Sequence, residues 1–211
     1  MKEVFTEQLR KAWKGLSQMN KAQNVGTDVN NDVNTTSRMS VAVKRTSLGS
    51  TIPTYAHEGD AGMDLYASGA TVIEPGETVI VPTGIAMAIP KGYELQIRPR
   101  SGVTVKTKLR VQLGTVDCTY RGAIGVIVDN TNLDLNVEEG FYIGLDGCLI
   151  NAFDYYGAWN RFAKGSYLIR KGDRISQGVL APVSHAHFTE VDALDDSPRG
   201  GNGFGSTGVS E

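Results

Sequence analysis

From Val41 onward the sequence predicts an all-β domain of jelly-roll type, on three observations. The apolar period is two: Ile85, Met87 and Ile89 alternate with Ala86 and Ala88, and Tyr93, Leu95 and Ile97 alternate with Glu94, Gln96 and Arg98. Turn signals punctuate these runs at Pro75-Gly76, Pro90-Lys91-Gly92 and Lys171-Gly172-Asp173. The runs are short and closely spaced, the pattern of a sandwich or jelly roll, and no internal repeat is present.

The elements before and after this frame read differently. Residues 1–23 carry Val4, Phe5, Leu9, Ala12, Trp13, Leu16 and Met19 at helical spacing between charged residues, which predicts an amphipathic helix. Residues 24–40, rich in Asn, Asp, Thr and Ser, read as a linker, so the domain is expected over 41–211. Glu3 and Glu7 argue against a transit peptide. Two apolar runs, Val111–Val116 and Ala123–Val128, flank the polar stretch Asp117–Gly122 and place it at the tip of a hairpin. Residues 131–170 interrupt the rhythm with an aromatic-rich stretch including Phe141, Tyr142, Trp159 and Phe162, which reads as an insertion.

Composition narrows the function classes. A net charge of −2 over 211 residues, with both signs interspersed, offers no broad basic surface, so direct nucleic-acid binding is not expected. A small anionic ligand needs only a local cluster and stays compatible. Cys118 and Cys148 are far apart and form no metal or disulfide motif, which fits a reducing compartment. No apolar run approaches a membrane span and no secretory signal is visible, so a soluble, cytoplasmic protein is expected.

Five polar islands concentrate the chemistry. They are Ala61-Gly62-Met63-Asp64-Leu65, Pro99-Arg100-Ser101-Gly102, Gly114–Gly122, Gly172-Asp173-Arg174-Ile175-Ser176-Gln177, and the glycine-rich tail from Arg199 to Gly208. Arg100, Ser101 and Gly102 combine a guanidinium fork, a hydroxyl and an unobstructed backbone N–H, which suits an oxyanion, although the same residues make an ordinary turn. The tail adds Arg199, Ser206 and Thr207 as donors and Phe204 as a stacking face; its composition is equally that of a disordered glycine tail. Gly203, Gly205 and Gly208 fit a dinucleotide fingerprint, but the strand and helix that such a motif needs are not expected around them. His185 and His187, two apart on an expected strand, are either a metal-ligating pair or surface residues.

In this order and spacing, A-G-x-D-L, P-R-S-G, G-x-V-D-x-x-Y-R-G, G-D-R-I-x-Q and R-G-x-x-G-F-G-S-T-G resemble the five motifs of the trimeric dUTPase family. The resemblance covers nearly all of residues 41–211 apart from the insertion. It implies a β jelly-roll homotrimer whose active sites draw residues from all three subunits, and hydrolysis of dUTP to dUMP and pyrophosphate.

Carried over motif by motif, the resemblance makes Asp117 the general base that activates water toward the α-phosphorus. Tyr120 would stack beneath the deoxyribose, leaving no room for a 2′-hydroxyl. The backbone from Gly114 to Gly125 would read the uracil edge, where unmatched buried polar groups reject cytosine more firmly than a size mismatch would. Arg100, Ser101, Gly102 and Gln177 would bind the phosphates. Asp64 would orient waters on a Mg²⁺ ion held mainly by the triphosphate, in keeping with magnesium's reluctance to lose water. Arg174 would support that motif through a salt bridge, and Lys106 is either a basic site residue or a solvated charge. The tail 199–211 would be a lid from a third subunit, with Phe204 on uracil, Arg199, Ser206 and Thr207 on the phosphates, and Gly205 among the glycines that let it move.

Departures from the pattern are equally specific. Thr115 stands where the family commonly has a branched aliphatic residue, and Cys118 follows Asp117. The 131–170 insertion resembles, by position and length, that of certain bacteriophage dUTPases, where it serves protein–protein interaction. Two other readings compete with the dUTPase one. One is a dCTP deaminase of the same fold, which the complete Phe204 tail opposes; the other is a regulatory binding protein using the insertion as an interface.

Overall fold

The computed structural model describes residues 39–133, 138–156 and 162–203. The expected helix over 1–23, most of the linker, and Phe204, Gly205, Ser206 and Thr207 of the tail lie outside them. The chain divides between Ser40 and Val41 into two units, and the second, Val41–Glu211, holds all the strands named below.

The described residues are nearly all β. One antiparallel sheet runs in the order β2 (Met63–Tyr66), β13 (Arg174–Pro182), β6 (Tyr93–Arg98) and β8 (Gly114–Val116). A second is β4 (Thr78–Pro82), β9 (Gly125–Asn130) and β7 (Leu109–Val111), and β1 (Ala42–Arg45) pairs with β5 (Ile85–Ala88). The fourth is β11 (Leu149–Asn151), β10 (Phe141–Ile143), β12 (Tyr167–Ile169) and β3 (Thr71–Ile73). Two short helices, α1 (Ser101–Lys106) and α2 (Ala152–Tyr156), complete the described elements.

Side-chain period accounts for these strands. In β6, Leu95 and Ile97 are buried while Glu94 and Gln96 are half-buried and Arg98 is exposed, as the alternation predicts. β5 differs, because Ala86 is buried together with Ile85 and Met87. The alternation there is one of size, large against small, in a strand covered on both faces. The predicted turns hold: Gly76, Gly92 and Gly172 take φ values of 81°, 84° and 87°, a region that side chains with a Cβ rarely adopt.

One core joins the sheets, with Leu65, Ile73, Val81, Leu95, Val126 and Ile169 all fully buried within it. Leu65 has no exposed surface and lies in this core, next to Asp64 on β2. Leu65→Ala is therefore expected to lower stability by about 2–5 kcal/mol, read as a reduced denaturation midpoint.

The aromatic-rich stretch 131–170 is anchored in this frame at its C-terminal end. β12 pairs with β3, Tyr167 and Ile169 enter the main core, and the Tyr167 hydroxyl accepts the Lys108 N–H at 2.9 Å. A small cluster of Tyr142, Ala152 and Leu168 packs beside it, with Val72 and Ile150 against it. The rings of Tyr142 and Phe162 lie 5.2 Å apart. In the β10–β11 turn, the Cys148 N–H donates to Asp146 at 3.0 Å and holds that carboxyl below its ordinary pKa.

One expectation is corrected. β8 and β9 do not form a hairpin: β8 pairs with β6, whereas β9 pairs with β4 and β7, so the residues between Val116 and Gly125 bridge two sheets. Both flanking runs are apolar because each joins a different sheet over the same core, a distinction that local pattern does not carry.

Candidate active site

The sheet order collects the islands from distant parts of the chain. Asp64 on β2 faces Gln177 on β13, and Gln177 faces Arg98 on β6, which leads directly into Pro99-Arg100-Ser101-Gly102. These residues converge on a cavity of about 300 Å³ lined by Asp60, Gly62, Asp64, Arg100, Ser101, Gly102 and Gln177, among others.

Asp64 organises this cavity. It is buried, and each of its oxygens meets a guanidinium: Arg100 Nε at 2.9 Å from Oδ1 and Arg174 Nη1 at 3.2 Å from Oδ2. Arg100 Nη1 also donates to the Arg174 carbonyl at 3.0 Å. The Arg100 fork is thus held on one side by protein while its side chain remains partly exposed toward the cavity. At α1 the first-turn N–H groups have no intrahelical acceptor, no side chain caps them, and nothing stands within 4 Å of where a Cβ on Gly102 would lie. An anion can therefore approach backbone donors beside a fixed guanidinium.

Gln177 is positioned by two contacts. Its Nε2 donates to the Pro99 carbonyl at 2.9 Å, and its carboxamide lies over Gly62, where an added Cβ would stand 2.5 Å from Oε1 and 3.2 Å from the Gln177 Cβ. Gly62→Ala is expected to displace Gln177 and weaken binding of a phosphate ligand several-fold in titration calorimetry, with the thermal midpoint nearly unchanged.

Asp117 lies elsewhere. β8 runs antiparallel to β6 with Val116 opposite Leu95, so Asp117 continues toward the Glu94 end of β6, away from Arg98. The four residue steps from Glu94 to Arg98 span roughly 13 Å. Asp117 lines a second cavity, of about 850 Å³, with Tyr93, Glu94, Cys118, Arg121 and His185 among its walls. Its carboxylate is exposed and has no hydrogen-bond or ion-pair partner among the described residues. Within one chain, then, the cavity lined by Asp64, Arg100 and Gln177 and the carboxylate of Asp117 stand at opposite ends of one sheet.

The remaining predicted residues sort as follows. Tyr120 is about half exposed, its N–H donates to the Asp117 carbonyl at 3.0 Å, and its hydroxyl donates to the Ala123 carbonyl at 3.0 Å. Its ring occupies the space a Cβ on Gly122 would need, which explains the glycine of Y-R-G. Gly114 packs against Ile97 and Gly125 against Ile80, so both are close-approach positions. Arg199 is exposed, with Nε donating to the Asn202 carbonyl at 2.8 Å. Lys106 is exposed in the last turn of α1. His185 and His187 lie beyond Pro182, the end of β13, rather than on a strand; among the described residues no group of three or more His, Cys, Asp or Glu is arranged to hold a metal. The sequence reading missed Asp60, although its place just before Ala61-Gly62 put it within reach, and it missed the Tyr93–Glu94 end of β6, whose proximity to Asp117 follows only from strand direction.

Backbone donors beside an ion-paired guanidinium, on an all-β frame, form a cavity suited to an anionic ligand. The dUTPase family model matches residues 49–143. The deoxyuridine 5′-triphosphate nucleotidohydrolase of Leifsonia xyli is 40% identical over 161 residues, covering 75% of this chain and 86% of the relative. Among solved structures, a mutant dUTPase of Staphylococcus bacteriophage 80alpha with dUpNHpp aligns at a TM-score of 0.74 and 33% identity, covering 81% of this chain and 99% of that one. The dUTPase of phage phi11 of S. aureus, described with a structural Mg(II) ion, aligns at 0.67 and 27% identity over 74% of this chain and 99% of that one. The chain belongs to the dUTPase family and is an enzyme of that family.

Proposed function

We propose that the chain hydrolyses dUTP to dUMP and pyrophosphate at a site assembled between copies of itself, with Asp117 as general base. The observation that carries this reading is the separation of Asp117 from the Asp64–Arg100–Gln177 cradle within one chain, together with the unpaired state of its carboxylate. A neighbouring copy's cradle opposite Asp117 gives the site both halves, and closed cyclic symmetry, here a homotrimer, repeats that junction identically.

The chemistry then follows from the parts. Asp117 accepts a proton from water as the water oxygen bonds to the α-phosphorus; the bond to the bridging oxygen breaks and pyrophosphate leaves with the electron pair. Arg100, Ser101, the Gly102 N–H and Gln177 hold the phosphates and offset their charge. Tyr120 supports the deoxyribose, and the Gly114–Gly125 backbone reads uracil. Arg199, Phe204, Gly205, Ser206 and Thr207 close over base and phosphates from a further copy. The reaction removes the precursor of uracil in DNA and supplies dUMP for thymidylate synthesis.

Magnesium fits the donor set in one way. The cavity offers no cage of carboxylates, and Asp64 already bears two guanidinium contacts, so the residues suit a hydrated ion carried on the triphosphate, with Asp64 accepting from its waters. When bound, the ion neutralises phosphate charge. Among the described residues no helix is long and apolar enough to cross a membrane.

The test is pyrophosphate release from dUTP, dCTP, dTTP and UTP with Mg²⁺. Strong preference for dUTP is expected; equal rates on dUTP and UTP would contradict the role given to Tyr120. A protein partner at residues 131–170 is a second reading, favoured by the exposed Leu149 on edge strand β11 and the exposed Phe153 and Phe162. Leu149→Ser with Phe153→Ser tests it by loss of partner capture, leaving the buried Tyr167 and Leu168 in place.

A further inference from the structure

We infer that Asp60 is a second outer-sphere contact for the hydrated divalent cation carried on the triphosphate, and that its charge makes the cradle select metal-loaded nucleotide over bare nucleotide. The inference rests on the dUTPase reading of the cradle and names a residue outside the motif that suggested it.

The charge of the cavity wall carries the argument. Asp60, Asp64 and Arg100 are its ionisable lining residues. Asp64 is offset by Arg100 and, from behind, by Arg174, but Asp60 has no cationic partner among the described residues. Arg100 and Arg174 leave one positive charge after offsetting Asp64, and Asp60, on the same cavity without an ion-pair partner, cancels it, so a triphosphate bearing several negative charges meets no net positive charge and is repelled by Asp60 itself. Like charges at such range repel by an amount that matters in a partly enclosed site, and a divalent cation between them turns repulsion into attraction.

The local fold holds Asp60 ready for this. A tight turn places Gly59 at φ 87°, the His57 N–H donates to Asp60 Oδ2 at 2.8 Å, and the Asp60 N–H donates back to the His57 carbonyl at 3.3 Å. Oδ2 is thereby committed to the turn, while Oδ1 has no partner among the described residues and is available to water on the ion. Residues 54 and 64 form a bridge that ties this loop to β2, so Asp60 and Asp64 keep their relation across the cavity.

The turn contact and the charge can be separated, because asparagine retains an oxygen for the His57 N–H and removes only the charge. The experiment is titration of the full-length wild type and Asp60→Asn with dUpNHpp, in Mg²⁺ and in EDTA, at fixed ionic strength of about 0.1 M. In the wild type, Mg²⁺ is expected to tighten binding; in Asp60→Asn that tightening should shrink about fivefold or more, chiefly through better binding in EDTA, as expected for loss of a coupling between charge and metal. An unchanged ratio of the two dissociation constants in Asp60→Asn overturns the inference while leaving the dUTPase reading intact. Should only Asp60→Ala change the ratio, Asp60 serves the turn alone and the inference also fails. Failure of the wild type to bind dUpNHpp under either condition overturns the inference together with the reading on which it rests.

Discussion

Asp117→Asn should abolish dUTP turnover while leaving nucleotide binding in place. The substitution keeps the shape of the side chain and removes its basicity, and Asp117 makes no hydrogen bond or ion pair with a described side chain that the change would break. A positioned carboxylate base contributes about 10²–10⁴-fold. Since water is a poor nucleophile toward a phosphate ester, loss of at least that factor in kcat is expected, with KM nearly unchanged. Pyrophosphate release gives the rate and titration with dUpNHpp gives the affinity. Turnover within tenfold of wild type would remove Asp117 as the base.

Mixing two inactive variants should restore activity. Arg100 and Asp117 stand at opposite ends of the β2–β13–β6–β8 sheet, so the proposed site takes them from different copies. Asp117→Asn lacks the base but keeps the cradle; Arg100→Gln loses the guanidinium that meets Asp64 and the phosphates but keeps the base. In randomly assembled mixed oligomers, about one site in four pairs an intact Asp117 with an intact Arg100. Co-expression in equal amounts should recover about a quarter of wild-type turnover in the unfractionated mixture, from two proteins with almost none. Mixed oligomers that stay inactive would show that a single chain supplies both residues, against the strand directions seen here.

Much of the site was legible before the fold because its chemistry is local. Arg100, Ser101 and Gly102 bring backbone and side-chain donors together as sequence neighbours, and Gly122 is explained by the ring of Tyr120 two residues away. The alternation in β6 was legible for the same reason, since one buried face imposes period two on consecutive residues. Less local features escaped. The 114–125 segment looked like a hairpin because both flanks are apolar, yet its strands belong to different sheets. The histidines His185 and His187 looked like a strand pair, but the ladder with β6 ends at Pro182. Asp60 adjoins Ala61-Gly62 in sequence, but that it lines the same cavity as Arg100 and Gln177 follows only from the fold.

The sequence by itself determined the all-β class, the three glycine turns at Gly76, Gly92 and Gly172, and the residue types able to hold phosphate and activate water. Those follow from side-chain period, allowed φ and donor chemistry, all properties of short stretches. Only the tertiary structure decided that Asp64 is shared between Arg100 and Arg174, that Gln177 rests on Gly62, and that Asp117 stands at the other end of the sheet from them. Each depends on which strands are neighbours and which way they run. Strand order and direction arise from burying all the apolar faces in one core, a condition on the whole chain that no single motif expresses.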